Sequence, residues 1–430
     1  MQPTQPPANP QTNLPGLSAD ASTTDTAAVS SAVAKLYDAY PFPPEPLLDE
    51  VPPGYNWRWT WPAAYSFCTG RKPETNSVRI LDAGCGTGVS TEYLVHLNPG
   101  AEVVGIDLSA GAIAVAKERC QRSGADRVTF YNTSIYDVDQ IPGEFDLINC
   151  VGVLHHMPDP IRGIQALAQK LKPGGIFHIF VYAELGRWEI QLTQEAIALL
   201  QGDRRGDYKD GVAVGRTLFS SLPTENRLRK REETRWSLEN QRDECFADMY
   251  VHPQEIDYNV KTLFDLIDAS RLDFVGFSNP QYWDLSRLIG TAPDLIARAA
   301  QMNERDRYRL TEVLDPELTH FEFFLSRPPL ALADWGDDET LLAAIPERHP
   351  CIEGWPSRSF FNYDYQVVSI SEAEFAFMEK CNPAQALSVA EILTQIDVQA
   401  QTEALEMVRS LQNRQLILLA PTEKKTTASY

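Results

Sequence analysis

A chain of 430 residues, 43% hydrophobic and 10% aromatic, has the length for two or three domains of roughly 150 residues each and ample apolar side chains for packed cores. Lys and Arg total 38 against 59 Asp and Glu, a formal net charge of -21. Such a balance repels polyanions at long range, so nucleic acid is not expected as a general partner. The seven cysteines stand singly with no C-x-x-C pair, which argues against a zinc cage or a disulfide framework and fits a reducing cytoplasm; no signal-like start and no run of 18 apolar residues occurs, so neither export nor a membrane span is expected.

Residues 1–30 hold five prolines, many Ser, Thr and Ala, and no aromatic or basic residue, the composition of a disordered tail. From residue 31 the character changes. Val33, Leu36, Tyr37 and Tyr40 have helical spacing, Pro41, Pro43, Pro44 and Pro46 force extended backbone, and Tyr55-Asn56-Trp57-Arg58-Trp59-Thr60-Trp61 follows, so 31–77 reads as a helix and an aromatic flap.

Residues 78–183 alternate strand-like runs with helical segments: Val78–Leu81, Ser90–Leu97, Val103–Ile106, Ala110–Ser123, Val128–Tyr131, Phe145–Val151, Ile161–Leu171 and Ile176–Tyr182. That alternation predicts a parallel sheet covered by helices on both faces. Residues 184–255 are helical and charged, an insertion or lid after the fifth strand. Phe274–Phe277 and His320–Leu325 bring the strand total to seven, with Leu285–Leu314 mostly helical between them. After Pro328-Pro329, residues 345–420 show helical patterns at Glu372–Cys381, Leu387–Thr394 and Glu403–Gln412 and a strand at Leu416–Leu419, suggesting a small C-terminal α+β module of winged-helix type, followed by a tail at 421–430.

The strongest chemical signal is Val78-Arg79-Ile80-Leu81-Asp82-Ala83-Gly84-Cys85-Gly86-Thr87-Gly88. Here a buried strand runs into glycines at every second position and then into a helix. Glycines serve where a turn needs positive φ or where a ligand presses on the backbone, and the helix that follows directs N–H groups at the ligand. The spacing differs from the G-x-G-x-x-G of dinucleotide sites, and Asp82 would repel a pyrophosphate while suiting a cationic amino group. Nineteen residues beyond Gly88, Asp107 ends the next strand, where a carboxylate accepts ribose hydroxyls.

With Phe145-Asp146-Leu147-Ile148 and Leu171-Lys172-Pro173-Gly174-Gly175, this order resembles the class I S-adenosylmethionine-dependent methyltransferases across residues 78–183. The resemblance implies a Rossmann-like three-layer α/β/α sandwich over 78–328, its seven-stranded sheet mostly parallel with the last strand antiparallel. It also implies S-adenosylmethionine as cofactor. Carried over, Asp82, Gly84, Gly86 and Gly88 cradle the methionine part, Asp107 takes the ribose, Leu108 flanks the adenine, and Val151 closes the opposite side. Where many members place an Asp for the adenine amino group, this chain has Ser134, beside Ile135.

The acceptor is not written in these motifs. The segment Asn149–Asp159 lacks the Asn/Asp-Pro-Pro-aromatic element of base amine methylation, and no Pro-Cys nucleophile for cytosine is present. His155 is the candidate base, ahead of His156, on imidazole's titration range; the alternative is that the pair only holds the fourth strand to its helix. Tyr37, Tyr40, Trp57 and Trp59 are candidate walls of an acceptor pocket, or plain packing of the N-terminal helix. Asp248, His252 and Tyr258 lie in a stretch placed for a lid, with too few matched ligands for a metal. The basic run Arg227–Arg235 reads as a solvated helix face. A small-molecule acceptor is the leading expectation; the alternatives are a protein or RNA methyltransferase docking through the C-terminal module, and a non-catalytic cofactor-binding regulator.

Overall fold

The computed structural model of the protein describes residues 23–396 and 401–422. The chain opens with α1 (Thr23–Ala39), so residues 23–30, assigned above to a disordered tail, are helical. Alanine-rich sequence favours a helix, and Leu36 on its buried face supplies the tertiary anchor that composition alone cannot reveal. Residues 1–22 of that tail, and 423–430 of the C-terminal one, lie outside the described residues.

After the proline segment, α2 (Trp61–Thr69) starts with Pro62 in its first turn, where a missing N–H costs nothing, and stops at Gly70 with φ of 73°. Then come β1 (Arg79–Ala83), α3 (Val89–Leu97), β2 (Glu102–Asp107), α4 (Ala110–Ser123), β3 (Val128–Asn132), β4 (Phe145–Val151), α5 (Pro160–Lys170) and β5 (Leu171–Tyr182). The insertion carries α6 (Trp188–Gln201), α7 (Tyr208–Ser221), α8 (Arg227–Arg231) and α9 (Asp243–Tyr250). The chain returns through α10 (Val260–Ser270), β6 (Asp273–Phe277), α11 (Ser286–Ile289), α12 (Pro293–Ala299), α13 (Glu304–Leu314) and β7 (His320–Ser326).

These seven strands form one sheet in the order β3-β2-β1-β4-β5-β7-β6, parallel except for β7, which runs antiparallel to both β5 and β6. Successive strand residues bury on opposite faces. Leu81, Ile148 and Phe177 join one core, whereas Ile80, Leu147 and Ile176 join the other. The strand order changes direction between β1 and β4, and ligands of open α/β sheets bind at the carboxyl ends there. β5 begins at Leu171 rather than Ile176, because Leu171 pairs with Phe145 across a register shift.

A third core joins α1 to the insertion: Leu36 packs with Ile190, Ile197, Val212, Trp236, Phe246 and Tyr250. A fourth belongs to the C-terminal module, built from α14 (Asp338–Ala343), β8 (Ile345–Arg348), β9 (Ser359–Phe361), β10 (Val367–Ser369), α15 (Glu372–Lys380), α16 (Val389–Leu393), α17 (Gln401–Asn413) and β11 (Ile417–Ala420). β8 pairs antiparallel with β11, and β9 with β10. Strands of three and four residues such as these carry too little alternation to be legible beforehand.

Candidate functional site

The glycine turn after β1 is held from beneath and from above. Gly84, Gly86 and Gly88 all take positive φ, at 78°, 53° and 84°. A side chain at Gly84 would strike Val153, at Gly86 the Phe42 carbonyl, and at Gly88 Ala116 of α4. Gly84 and Gly86 line the main cavity, whereas Gly88 serves the packing of α3 on α4. Phe42–Pro46 straps across the turn: Thr87 donates from its backbone N–H to the Phe42 carbonyl (3.2 Å), and Arg119 donates to the carbonyls of Glu45, Pro46 and Thr87.

Asp107 is anchored through both oxygens, accepting from the Gly86 N–H at 2.9 Å and the Ser109 N–H at 2.8 Å, and it lines the cavity. Burial raises its carboxyl above the ordinary range, and those two N–H groups act against the rise. Leu108, Ser134, Ile135 and Val151 line the same wall, with the Ser134 hydroxyl already accepting from the Tyr136 N–H.

Asp82 does not reach the cavity. Its carboxylate is 1% exposed and accepts from the Ser90 and Thr91 hydroxyls (2.7 and 2.6 Å) and from the Asn149 side-chain amide (2.8 Å). A direct partner for a cationic amino group was expected at this position. The carboxylate ties down the first turn of α3, whose Ser90 and Thr91 hydroxyls both donate to it.

The cavity measures about 1080 Å³. Single-ligand pockets span roughly 300–1,000 Å³, so this volume suits two ligands side by side. Its far wall comes from α1, the turn after β4, the end of β5, the insertion and the start of β7: Tyr37, His156, Phe180, Tyr182, Arg187, Trp236, Asp248 and His320. Tyr37 donates to Asp248 at 2.9 Å, joining α1 to α9 across the chamber. Burial, then the Asp248 charge, raises the Tyr37 phenol, which therefore stays protonated. Arg187 lies 3.4 Å over the Tyr182 ring and pairs with Glu255 and Asp257 at 3.1 and 3.7 Å.

The two histidines divide. His155 is fully buried, absent from the cavity wall, and sandwiched between the rings of His156 (4.2 Å) and Tyr182 (3.9 Å), with neither ring nitrogen hydrogen-bonded. Burial drives its imidazole well below the usual range, so it is a neutral packing ring rather than a base at the cavity. His156 lines the cavity, and its Nδ1 lies 3.0 Å from the Gln254 carbonyl. That nitrogen must donate, which in the neutral ring leaves a lone pair on Nε2.

His156, Asp248 and His252 bring ligand-type atoms within 4.8 Å of one another. The His252 Nδ1 accepts from the Gln254 N–H at 3.1 Å, so the neutral ring carries its proton on Nε2. The trio therefore offers lone pairs from His156 and Asp248 but not from His252, two donors rather than a three-ligand set. His252 stacks on His156 at 3.7 Å, beneath the wall rather than in it.

The aromatic flap is mostly structural. Trp59 lines the cavity, whereas Tyr40 and Trp57 do not; Trp57 is 2% exposed against Phe67, Phe324 and Tyr363. Tyr258 is buried in the sheet core. In the basic run, Arg231 pairs with Glu189 and Glu317, Arg235 with Glu317, and Arg229 with Glu233. Arg187, Tyr182, Trp236 and His320 were not anticipated, because loop closure brings them together from distant stretches. Arg187, between Gly186 and Trp188 just after an apolar strand, gave only a weak signal.

A family model described as "Methyltransferase domain" matches residues 81–177. The sequence is 62% identical over 400 residues to the uncharacterized protein syc1184_c of Synechococcus sp., spanning 92% of this chain and 94% of that one. It is 37% identical over 112 residues to the ubiquinone biosynthesis O-methyltransferase of Methylococcus capsulatus, 26% of this chain and 44% of that one. The structure of PKMT2 from Rickettsia typhi in complex with AdoHcy superposes with a TM-score of 0.58, covering 86% of this chain and 77% of that one at 16% identity, a likeness of fold. Residues 81–177 belong to the methyltransferase-domain family.

S-Adenosylmethionine is the cofactor of this methyltransferase, and the switch-point cavity with its glycine turn and anchored Asp107 fits it. The protein is an enzyme of methyl transfer. Among the described residues no helix is long and apolar enough to cross a membrane.

Proposed function

We propose that the enzyme methylates a small-molecule acceptor at a proton-bearing heteroatom, with cofactor and acceptor sharing the one cavity. In this reading Gly84 and Gly86 face the methionine part of the cofactor, the Asp107 carboxylate takes the ribose hydroxyls, and Leu108, Ser134, Ile135 and Val151 enclose the adenine. The observation that carries it is the His156 Nδ1 contact with the Gln254 carbonyl, which in the neutral ring leaves Nε2 to accept, on a side chain lining a chamber roofed by α1 and the insertion.

The cofactor supplies an electrophilic methyl carbon on a sulfonium. Held by those residues, it would pass that methyl to the acceptor's lone pair, the carbon–sulfur electron pair staying on sulfur, and the chamber's part would be to keep the two in line. His156 Nε2 takes the acceptor's proton, and Asp248 at its side steadies the imidazolium. Aromatic rings from Tyr37, Phe180 and Tyr182 hold an apolar or cyclic acceptor and keep water out. The match to O-methyltransferases favours oxygen as the methylated atom, although it spans under half of their length. Protein and RNA are the competing acceptor classes.

A labelled-methyl screen of an extract split into small molecules, proteins and RNA tests this. Label in the small-molecule fraction, lost in His156→Asn and kept in His155→Asn, is the expected outcome. Label confined to protein or RNA would refute the acceptor class, and full turnover by His156→Asn would refute the base.

A further inference from the structure

A continuous run of buried and half-buried polar contacts crosses the sheet beneath the cavity and emerges at the C-terminal module. Ser90, on the cavity wall, donates to Asp82 (2.7 Å), and Asn149 Nδ2 donates to the same carboxylate (2.8 Å). The Asn149 oxygen faces His178 Nδ1 at 2.8 Å, and His178 Nε2 faces a Glu322 oxygen at 3.1 Å. The other Glu322 oxygen meets Arg58 Nε at 2.6 Å and the Ser278 hydroxyl at 2.9 Å. Arg58 reaches Asp364 at 3.5 Å, and the neighbouring Trp57 indole donates to Asp364 at 3.0 Å. Asp364 sits in the turn between β9 and β10, whose Tyr365 stacks on Tyr55 at 4.4 Å.

The direction of each contact is forced. Burial raises the Asp82 carboxyl, and the Thr91, Asn149 and Ser90 hydrogen bonds oppose the rise; as a carboxylate it accepts only, so Asn149 presents its amide hydrogens to Asp82 and its oxygen to His178. His178 Nδ1 must then donate. On the opposite edge, Glu322 faces Arg58 as well as His178: burial alone would raise its carboxyl, but His178 and Arg58 hold it down to about 2, so it is ionised and also only accepts. Both nitrogens of His178 therefore face acceptors. Burial, the largest influence, holds this fully buried imidazole below its ordinary range, and the Glu322 hydrogen bond and charge oppose that pull only in part, so the case for charge rests on the hydrogen-bond geometry. Arg58 and Asp82 are the other charges acting on it, and the Phe324 ring stacks 5.0 Å away. A neutral imidazole would leave one acceptor unpaired in the core, and only the doubly protonated ring satisfies both.

We propose that His178 is held as an imidazolium between Asn149 and Glu322, and that this chain makes the C-terminal module a support of the cofactor floor, from Asp364 through Arg58, Glu322, His178, Asn149 and Asp82 to Ser90. Arg58, Glu322, His178 and Asn149 are positioning residues: none lines the cavity, and each fixes the next. Loosening the chain lets the first turn of α3 shift, and affinity for the cofactor falls with no ligand contact removed.

The test uses the full chain and S-adenosylhomocysteine as probe. Histidine-selective nitrogen NMR of the ligand-free protein at pH 7, assigned with His178→Asn, is expected to show both His178 nitrogens protonated, and Glu322→Gln is expected to convert the ring to a neutral tautomer. Calorimetry is expected to show roughly tenfold weaker S-adenosylhomocysteine binding in Glu322→Gln, the scale of one lost charge-assisted contact, and a smaller loss of about threefold in Asp364→Asn. A neutral His178 in the wild type, or wild-type affinity in either variant, overturns the proposal. It rests on the cavity being the cofactor site. Failure of the wild type to bind the probe would count against that reading alone, since the NMR result needs no ligand.

Discussion

Replacing Asp107 by asparagine changes the cofactor wall by one atom and one charge. In the wild type each carboxylate oxygen accepts one backbone N–H, from Gly86 or Ser109, and keeps a lone pair facing the cavity. In Asp107→Asn the amide nitrogen must point at one of those N–H groups, donor against donor, and a single neutral oxygen remains for two ribose hydroxyls. Hydrogen bonds to charged groups are worth about 1.5–3 kcal/mol each, so losing two at the low end costs about 3 kcal/mol, or roughly 150-fold in Kd. Calorimetric titration of S-adenosylhomocysteine into wild type and variant at one salt concentration measures it, with thermal midpoints as the control for folding. A change under about threefold with matching midpoints would refute the assignment of Asp107 to the ribose.

Three further outcomes follow from the same geometry. His156→Asn is expected to lower kcat by about 10²–10⁴-fold, the usual range for a general base, with cofactor affinity retained, and His155→Asn to lower thermal stability with little change in kcat. Gly84→Ala places a methyl 2.3 Å from Val153 at φ of 78°; left-handed strain and overpacking together cost about 2–4 kcal/mol, read as a lower urea midpoint. His349, buried in the C-terminal module with its Nδ1 accepting from the Cys351 N–H, is held down to about 3 by burial against an ordinary 6.5. The unfolded chain takes up the proton first, so its stabilisation is complete above pH 6.5 and is lost as pH falls toward 3. Wild type is expected to lose about 2 kcal/mol more than His349→Asn between pH 6.5 and 5, measured by denaturant unfolding at each pH. Equal losses would refute it.

The parallel core was legible because strand and helix periodicities differ, and α4 and β4 have the bounds their apolar patterns indicated. The glycine turn and Asp107 were legible for a different reason. Positive φ and a strand-end carboxylate are local demands, met by residue type within a few positions. Asp82 shows the limit of that logic, since a local motif names the carboxylate but not its partners, and Asn149 arrives from a strand 67 positions away. His155 and His156 could not be ranked from sequence, because the Gln254 carbonyl that fixes His156 lies 98 residues on. One hint went unused: His178 and Glu322 interrupt apolar strands, and a buried polar residue in such a run needs a partner.

By itself, then, the sequence determined a doubly covered sheet with a glycine turn at its switch point, since hydrophobic period and glycine placement act over neighbouring residues. Only the tertiary structure decided which aromatic and ionisable groups share the chamber, and that the C-terminal hairpin is joined through Arg58, Glu322, His178 and Asn149 to Asp82 beside the glycine turn. Those pairings depend on contacts such as Arg58 with Asp364 and Tyr37 with Asp248, 306 and 211 residues apart, which loop closure creates and no local pattern encodes.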